Sequence, residues 1–584
     1  MEKFDDELGL AVAFRPANPL ADSDPPLPPL HERTVLLEKG SVHAEGAYPL
    51  PCDIVVDQDV PIPLRTGAVL RGDVYRPATS DPAPVILVYT PYGKRDGWPN
   101  AAMYVSRFGV PADHLSGLQA FEAPDPGFWC AEGYAIAVVD TAGTGHSGGD
   151  EVFHGTQSGR NAHDVIEWLA AQDWCNGKVG MAGNSQLAMV QWQAAAQQPP
   201  HLAAIAPWEG EIDIYRESMV RGGIPDTVFH DEDVAVHIYG ENDTEDVTAH
   251  TRLYPLVNAY WADKRADLTR ITVPAYIVGS WTNGLHTHGT FQAFREISST
   301  DKWLRVHNIH EWTDLADLAQ VRDLRRFFDR YLKDIDNGWE DTQRVRLTVL
   351  DPGGTDLVGR PEDDWPLARQ QWRTMYLDAA SGTLGDKPSE TEALAEYRGD
   401  DDADSVVFTT SPFEHDTEIT GYAKLRLWVE TPDAEDMDLF AAVHKVDQEG
   451  YRQYHLSLPA GPPRPREKGQ PPAGMAYVGP LGQLRASHRA LDPDRSTPSE
   501  PYLTHAAEEP LTPGVPVPVE IALWPTSMVV HPGERLVVEV AGHPIGPPTR
   551  PGGQQSVLAT RNLGLHRIRT GGDHDSHLLL PVVP

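Results

Sequence analysis

Between Pro51 and about Glu209 the chain alternates short apolar runs with stretches whose apolar positions recur at helical spacing. The runs 85–89, 134–140, 179–182 and 202–206 predict strands. Residues 161–172, with Val165, Ile166, Trp168 and Leu169 on one face, predict a helix. A second helix is expected over 187–198, where Pro199 and Pro200 end it. This alternation predicts a parallel sheet with crossover helices. The same rhythm resumes with a strand at 275–281, a helix at 290–297, a strand at 303–309 and a long helix at 315–332. Between the halves, 211 to about 268 is polar and weakly periodic, which reads as an insertion. Placed after the strand at 202–206, it would lie over the carboxyl ends of the strands as a cap.

Beyond about Asp351 the pattern changes to alternating segments punctuated by Pro and Gly. Strands are expected at 425–429, 439–446, 519–523 and 536–540, with turns such as Glu449-Gly450 and Pro532-Gly533. A β-sandwich is the economical reading. Residues 459–472 form a Pro/Gly-rich loop, and 108–126 reads as an extra loop near the entrance to a site. The expected organisation is an α/β core in two parts, 1–210 and 269–352, a cap at 211–268 and a β domain at 353–584.

Composition narrows the function. A chain of 584 residues with 40% hydrophobic content builds more than one core. Its 85 acidic and 48 basic residues give a formal charge of −37. That charge disfavours nucleic-acid phosphates and anionic membranes and favours a neutral or cationic small partner. The acidic start, Met1-Glu2-Lys3-Phe4-Asp5-Asp6-Glu7, lacks the basic and apolar regions of a signal peptide, and no stretch reaches the length of a membrane span. A cytoplasmic location is expected. Cys52, Cys130 and Cys175 lack metal-binding spacing, so neither a disulfide framework nor a zinc cage is indicated.

The run Val179-Gly180-Met181-Ala182-Gly183-Asn184-Ser185-Gln186-Leu187 sets a serine between an apolar strand and a helix. This is the pattern of a nucleophile elbow, where a side chain at Gly183 would clash with the sharp turn. Leu187 stands where Gly-x-Ser-x-Gly has its second glycine. The bland reading is a Ser N-cap in a βα turn. For a base, His310 follows the strand at 303–309, while His307, His286 and His288 are competitors. The Gly143–Gly149 loop lacks a P-loop lysine and the GxGxxG spacing, which argues against nucleotide binding.

Several stretches now fall into order: Thr90-Pro91-Tyr92-Gly93-Lys94, Asp140-Thr141-Ala142-Gly143-Thr144-Gly145-His146-Ser147-Gly148-Gly149, Trp174-Cys175-Asn176-Gly177-Lys178, Ala204-Ile205-Ala206-Pro207 and Ser576-His577-Leu578-Leu579-Leu580-Pro581. In order and spacing the chain resembles the cocaine esterase (CocE/NonD) family of serine hydrolases, related to Xaa-Pro dipeptidyl-peptidases and α-amino-acid ester hydrolases. The resemblance implies an α/β-hydrolase core with an inserted helical cap and a C-terminal β jelly roll. It implies Ser185 as nucleophile, His310 as base, and an oxyanion hole made by the Tyr92 hydroxyl and the Gln186 backbone N–H. No metal or organic cofactor is implied.

The resemblance implies that Asn283, in Ser280-Trp281-Thr282-Asn283-Gly284, falls at the position of the family's triad aspartate. An amide carbonyl there can accept the imidazole Nδ1–H but supplies no charge, and losing the carboxylate from a serine triad costs about 10⁴ in turnover. Glu311, Asp314, Asp317 and Asp140 are candidate replacements. Glu311 is the less attractive next to His310, because adjacent side chains on an extended segment diverge. The expected activity is hydrolysis of a small-molecule ester or amide through an acyl-enzyme, with a homodimer as an allowed assembly. The same serine would serve an acyltransferase or an aminopeptidase-like enzyme, and the rival of another class is a binding protein with a decayed triad.

Overall fold

The computed structural model describes residues 1–95, 101–459, 470, 472–546 and 558–584. Most of the Pro/Gly-rich loop expected at 459–472 lies outside the described residues. An eleven-stranded sheet forms the centre of the N-terminal half. In spatial order its strands are Arg33–Leu37, Ile54–Pro63, Val69–Pro77, Ala135–Asp140, Ala83–Thr90, Cys175–Asn184, Leu202–Trp208, Ala275–Ser280, Lys302–His307, Val345–Val349 and Leu357–Glu362. From Ala135–Asp140 to Val345–Val349 neighbouring strands run parallel; the flanking pairs are antiparallel.

The Ala83–Thr90 strand shows why the sheet needs cover on both faces. All its residues are buried, and they alternate between two cores: Val85, Leu87 and Tyr89 in one, Ile86 and Val88 in the other. Helices Gly155–Ala170 and Gln186–Ala196 pack together on one face, where Val165, Ile166 and Leu169 join the first core. Phe327, Phe328 and Leu332 of Leu318–Leu332 join the second. The long helix expected at 315–332 runs from Leu318 to Leu332, and a separate short helix precedes it. Glu311–Leu315 ends at Ala316, and Asp317 caps the next helix by accepting from the Ala319 and Gln320 N–H groups.

The chain passes from Ala83–Thr90 to Ala135–Asp140 on one side and then returns to Cys175–Asn184 on the other. That reversal opens a crevice at the carboxyl ends of the strands, where ligands of open α/β sheets bind. Tyr92 and Ser185 follow the two strands that flank it.

Between Leu202–Trp208 and Ala275–Ser280 lie short helical segments, including Tyr215–Met219, Phe229–Val234, Val247–Leu253 and Ala259–Lys264. The first residues join this insertion and not the large sheet: the hairpin Glu2–Asp5/Leu10–Pro16 pairs with Asp243–Glu245. The C-terminal half is strand-rich, with Thr417–Glu430 and Val517–Val530 as its longest pair. It is tied to the core by buried Lys445, whose Nζ lies 2.9 Å from Asp351, and by the Leu350 N–H donated to the Ser527 carbonyl at 3.0 Å. No helix among the described residues is long and apolar enough to cross a membrane.

Candidate active site

Ser185 sits between the strand Cys175–Asn184 and the helix Gln186–Ala196 with φ 57° and ψ −121°, a conformation unfavourable for a non-glycine residue. Its N–H donates to the Trp208 and Glu209 carbonyls at 3.2 and 3.0 Å, and its own carbonyl accepts from Ala188 and Met189. The strain is therefore held from both sides. Gly183 has φ +151°, and a Cβ there would stand 2.5 Å from Leu187 Cβ. Glycine is thus required at 183 because a side chain occupies 187. Ser185 makes no N-cap side-chain hydrogen bond.

Tyr92 lines the same cavity as Ser185. Its N–H donates to Thr90 Oγ1 at 3.1 Å, and its ring meets Phe121 edge-on at 5.1 Å. Burial pushes the phenol well above its ordinary pKa, reinforced by Glu122 and Glu311 and opposed by the Gln186 side chain. It is a neutral donor at physiological pH. Gln186 opens its helix, so its N–H belongs to the first turn, where donors have no intrahelical acceptor. The Tyr92 loop is anchored by Lys94, which reaches Asp140 at 2.8 Å and Asp59 at 3.3 Å, and by Arg95 on Asp59 and Asp73.

The acid–base side differs from expectation. Asn283 makes no hydrogen bond to His310. Its Oδ1 accepts from the backbone N–H of Leu285 (2.9 Å) and His286 (3.2 Å), and its amide donates to Glu311 Oε2 at 3.1 Å. His310 is the N-cap of Glu311–Leu315: its Nδ1 accepts the Trp312 N–H at 3.2 Å. A neutral imidazole with its lone pair on Nδ1 carries its proton on Nε2, which is the wrong tautomer for a base acting through Nε2. The ring packs against Phe108 (4.9 Å) and Trp312 (5.1 Å), and burial, with a smaller push from His307, lowers its pKa to about 3.

The reason that makes Glu311 the less attractive replacement is that it follows His310 on an extended segment. That premise fails, because Glu311 is already helical. The turn into the helix carries its carboxyl into the cavity with Ser185, Tyr92, Glu122 and His286. Burial pushes the Glu311 pKa well up, and Glu209 and Glu122 push the same way; the Asn283 and Asn184 amides pull it back. The other candidates have separate partners. Asp140 holds Lys94, Asp314 holds Arg305, and Asp317 caps a helix.

The remaining histidines fall into place. His307 Nε2 faces Glu209 at 3.0 Å, His288 meets Glu217 at 3.0 Å, and His146 bonds the Pro28 carbonyl at 3.0 Å. His286 lines the cavity, with its Nε2 3.8 Å from Glu311, and burial lowers its pKa to about 3. Trp208 and Glu209 are fully buried.

Glu122 escaped notice in the sequence. It has φ 59°, its carbonyl accepts the Asn184 N–H at 3.1 Å, and its Oε1 accepts the Trp312 Nε1–H at 3.0 Å. The segment 108–126, read as an extra loop, thus supplies Phe108, Phe121 and Glu122 to the wall. The cap supplies Phe229, Asp233 and Val234. Among the described residues, the cavity, about 120 Å³, combines aromatic rings with three carboxyls and one cation, Arg107. Among the described residues no group of three or more His, Cys, Asp and Glu side chains is placed to hold a metal ion.

Two family models match the chain: X-Pro dipeptidyl-peptidase (S15 family) over residues 66–313, and the X-Pro dipeptidyl-peptidase C-terminal non-catalytic domain over 337–579. A CocE/NonD family hydrolase from Staphylococcus aureus has a crystal structure similar at a TM-score of 0.86 with 32% identity, covering 95% of this chain and 97% of that one. The cocaine esterase of Rhodococcus sp. (strain MB1 Bresler) is 25% identical over 90% of this chain and 98% of its own. An α-amino acid ester hydrolase shares the fold at a TM-score of 0.67 and 18% identity.

Proposed function

Because this chain belongs to the CocE/NonD family of serine hydrolases, we propose that it hydrolyses a small-molecule carboxylic ester through an acyl-enzyme on Ser185, with Glu311 as the general base in place of an imidazole. The observation that carries this reading is the Asn283–Glu311 hydrogen bond at the wall of the Ser185 cavity. The turn that follows the strand Ala275–Ser280 supplies an amide donor, and the turn after Lys302–His307 supplies a carboxylate.

In the first half-reaction Glu311 takes the proton from Ser185 Oγ as that oxygen bonds the carbonyl carbon. The displaced π electrons make an oxyanion, stabilised by the Tyr92 O–H and the Gln186 N–H. Collapse breaks the bond to the leaving oxygen, which receives the proton from Glu311. Water then repeats the sequence on the acyl-serine and releases the acid. A carboxylate is a weaker base than imidazole in water, and burial offsets that by raising its pKa.

Glu122 and Glu311, both buried, with the partly exposed Asp233 on the same wall, favour a substrate carrying an ammonium group, since a cation stabilises the ionised form of the two buried carboxyls. The test is incubation with a fluorophosphonate probe followed by peptide mass spectrometry, alongside hydrolysis of p-nitrophenyl esters. A Ser185 adduct, and loss of turnover in Ser185→Ala, are the expected results. Absence of both adduct and turnover in the unaltered protein would overturn the reading.

A further inference from the structure

A second cavity lies where the cap, the core and the β domain meet, on residues that the reaction at Ser185 does not use. Its volume, about 400 Å³, falls in the range of small-molecule sites. The cap contributes Asp213 and Arg216, the helix Thr287–Glu296 contributes Arg295, and the β domain contributes Arg495, Glu500 and Tyr502.

The carboxylates on its wall are engaged within the protein. Asp213 accepts from Arg216 at 3.0 Å, Glu296 pairs with Arg265, Glu500 accepts from Arg295 and, at 3.1 Å, from Gln292, and Glu217 meets His288 at 3.0 Å. Three groups of donors are not. Among the described residues the Arg216 Nε–H and the Tyr502 O–H are buried with no acceptor, and Arg495, exposed to solvent, has no carboxylate within ion-pair distance. The three stand together: the guanidinium carbons of Arg216 and Arg495 lie 4.6 and 3.6 Å from the centre of the Tyr502 ring.

A buried donor without an acceptor is costly, and a cavity with spare donors and engaged acceptors selects an anion. The formal charge of −37 makes most of the surface repel anions, so the attraction here is local and comes from the arginines. Ile212, Pro501, Ala522 and Leu523 line the same cavity and suit a hydrocarbon body. We propose that this junction binds a small organic carboxylate, its charged end held by Arg495, the Arg216 Nε–H and the Tyr502 O–H, and its body against Ile212 and Leu523. A ligand seated there touches all three parts of the chain and stabilises the folded state.

The test titrates the full chain calorimetrically with phenylacetate and with phenylacetamide, which keeps the shape and lacks the charge. Phenylacetate binds and raises the Tm; phenylacetamide does neither. Arg495→Gln weakens phenylacetate about tenfold, the scale of one charge-assisted hydrogen bond. Tyr502→Phe keeps the ring against both arginines and removes only an O–H that has no partner in the free protein. It therefore leaves the Tm of the free protein unchanged and weakens phenylacetate about fivefold, a split that a purely structural tyrosine does not give. The proposal is overturned if the unaltered protein does not bind phenylacetate or binds the amide equally well. It is also overturned if both variants bind phenylacetate as tightly as the unaltered protein, since the acid would then sit elsewhere.

Discussion

Asn283 and Glu311, on the turns after two neighbouring parallel strands, meet through a 3.1 Å hydrogen bond in which the amide donates and the carboxylate accepts. The direction of that bond is fixed. Two backbone N–H groups, of Leu285 and His286, occupy Asn283 Oδ1, so the Nδ2 end is the one turned to Glu311. An amide held this way orients a carboxylate and favours its ionised form. It has no oxygen left to receive an imidazole proton.

The first consequence separates Glu311 from His310. Glu311→Gln keeps the size and the hydrogen-bonding capacity of the side chain but not its basicity, and it should lower ester turnover by about 10³, within the range for losing a general base. His310→Asn should retain most of the turnover, because asparagine also caps a helix. Steady-state kinetics on both variants check this, and the opposite ranking would return the base to His310.

The pH profile follows from the same carboxyl. In the proposed role Glu311 would act as base only when ionised, and burial raises its pKa above the ordinary 4.5. The rising limb of kcat/KM therefore tracks the folded Glu311 pKa and lies on the alkaline side of an ordinary glutamate. Asn283→Asp places a second carboxylate where the amide donated. The limb should then move further to alkaline pH, with lower turnover at neutrality. A limb that stays put in Asn283→Asp would disconnect residue 283 from the base.

The sequence carried the scaffold and the serine turn further than it carried the surroundings of His310 and Glu311. Strands such as Ala135–Asp140 and Leu202–Trp208 are legible because burial on both faces demands continuous apolar runs. Ser185 is legible because Gly183 marks a turn with no room for a side chain. Glu311 was not, because the question turned on where one strand stops: Lys302–His307 ends two residues earlier than its apolar pattern predicts, and the helix that follows begins at Glu311. Glu122 was illegible for another reason. Its carboxyl reaches the site through a loop whose positive φ leaves no periodic trace. The N-terminal hairpin, likewise, pairs with the distant strand Asp243–Glu245, and such pairing has no local signature.

Stability should report the burial of His310. Its folded pKa, about 3, lies below the value of 6.5 for an exposed histidine. The neutral form is therefore held in the folded protein while the unfolded chain takes up a proton. This contribution is present in full above pH 6.5 and is lost as pH falls toward 3; the loss has reached about 2 kcal/mol at pH 5. Glu122 and Glu311, with raised pKa values, act in the opposite sense, so the useful quantity is a difference between proteins. Between pH 7 and pH 5, His310→Asn should lose less stability to urea than the unaltered protein by about that amount. Equal losses would mean that the ring is solvated.

Gly183 and Leu187 form a coupled pair. A Cβ at 183 meets Leu187 Cβ at 2.5 Å and Leu187 Cδ2 at 3.0 Å. The first of these atoms is attached to the backbone and moves only if the helix moves. Gly183→Ala should cost about 3 kcal/mol, combining overpacking with an unfavourable φ, and should slow fluorophosphonate labelling of Ser185 by displacing the elbow. Leu187→Gly alone opens a cavity and weakens a helix near its start. In the double variant the clash is gone, because the glycine at 187 leaves room for the alanine, and the combined loss should be smaller than the sum of the single losses. A double-mutant cycle in urea, with labelling rates measured on the same four proteins, gives the coupling directly. Strict additivity would mean that the turn accommodates a side chain at 183 without touching residue 187.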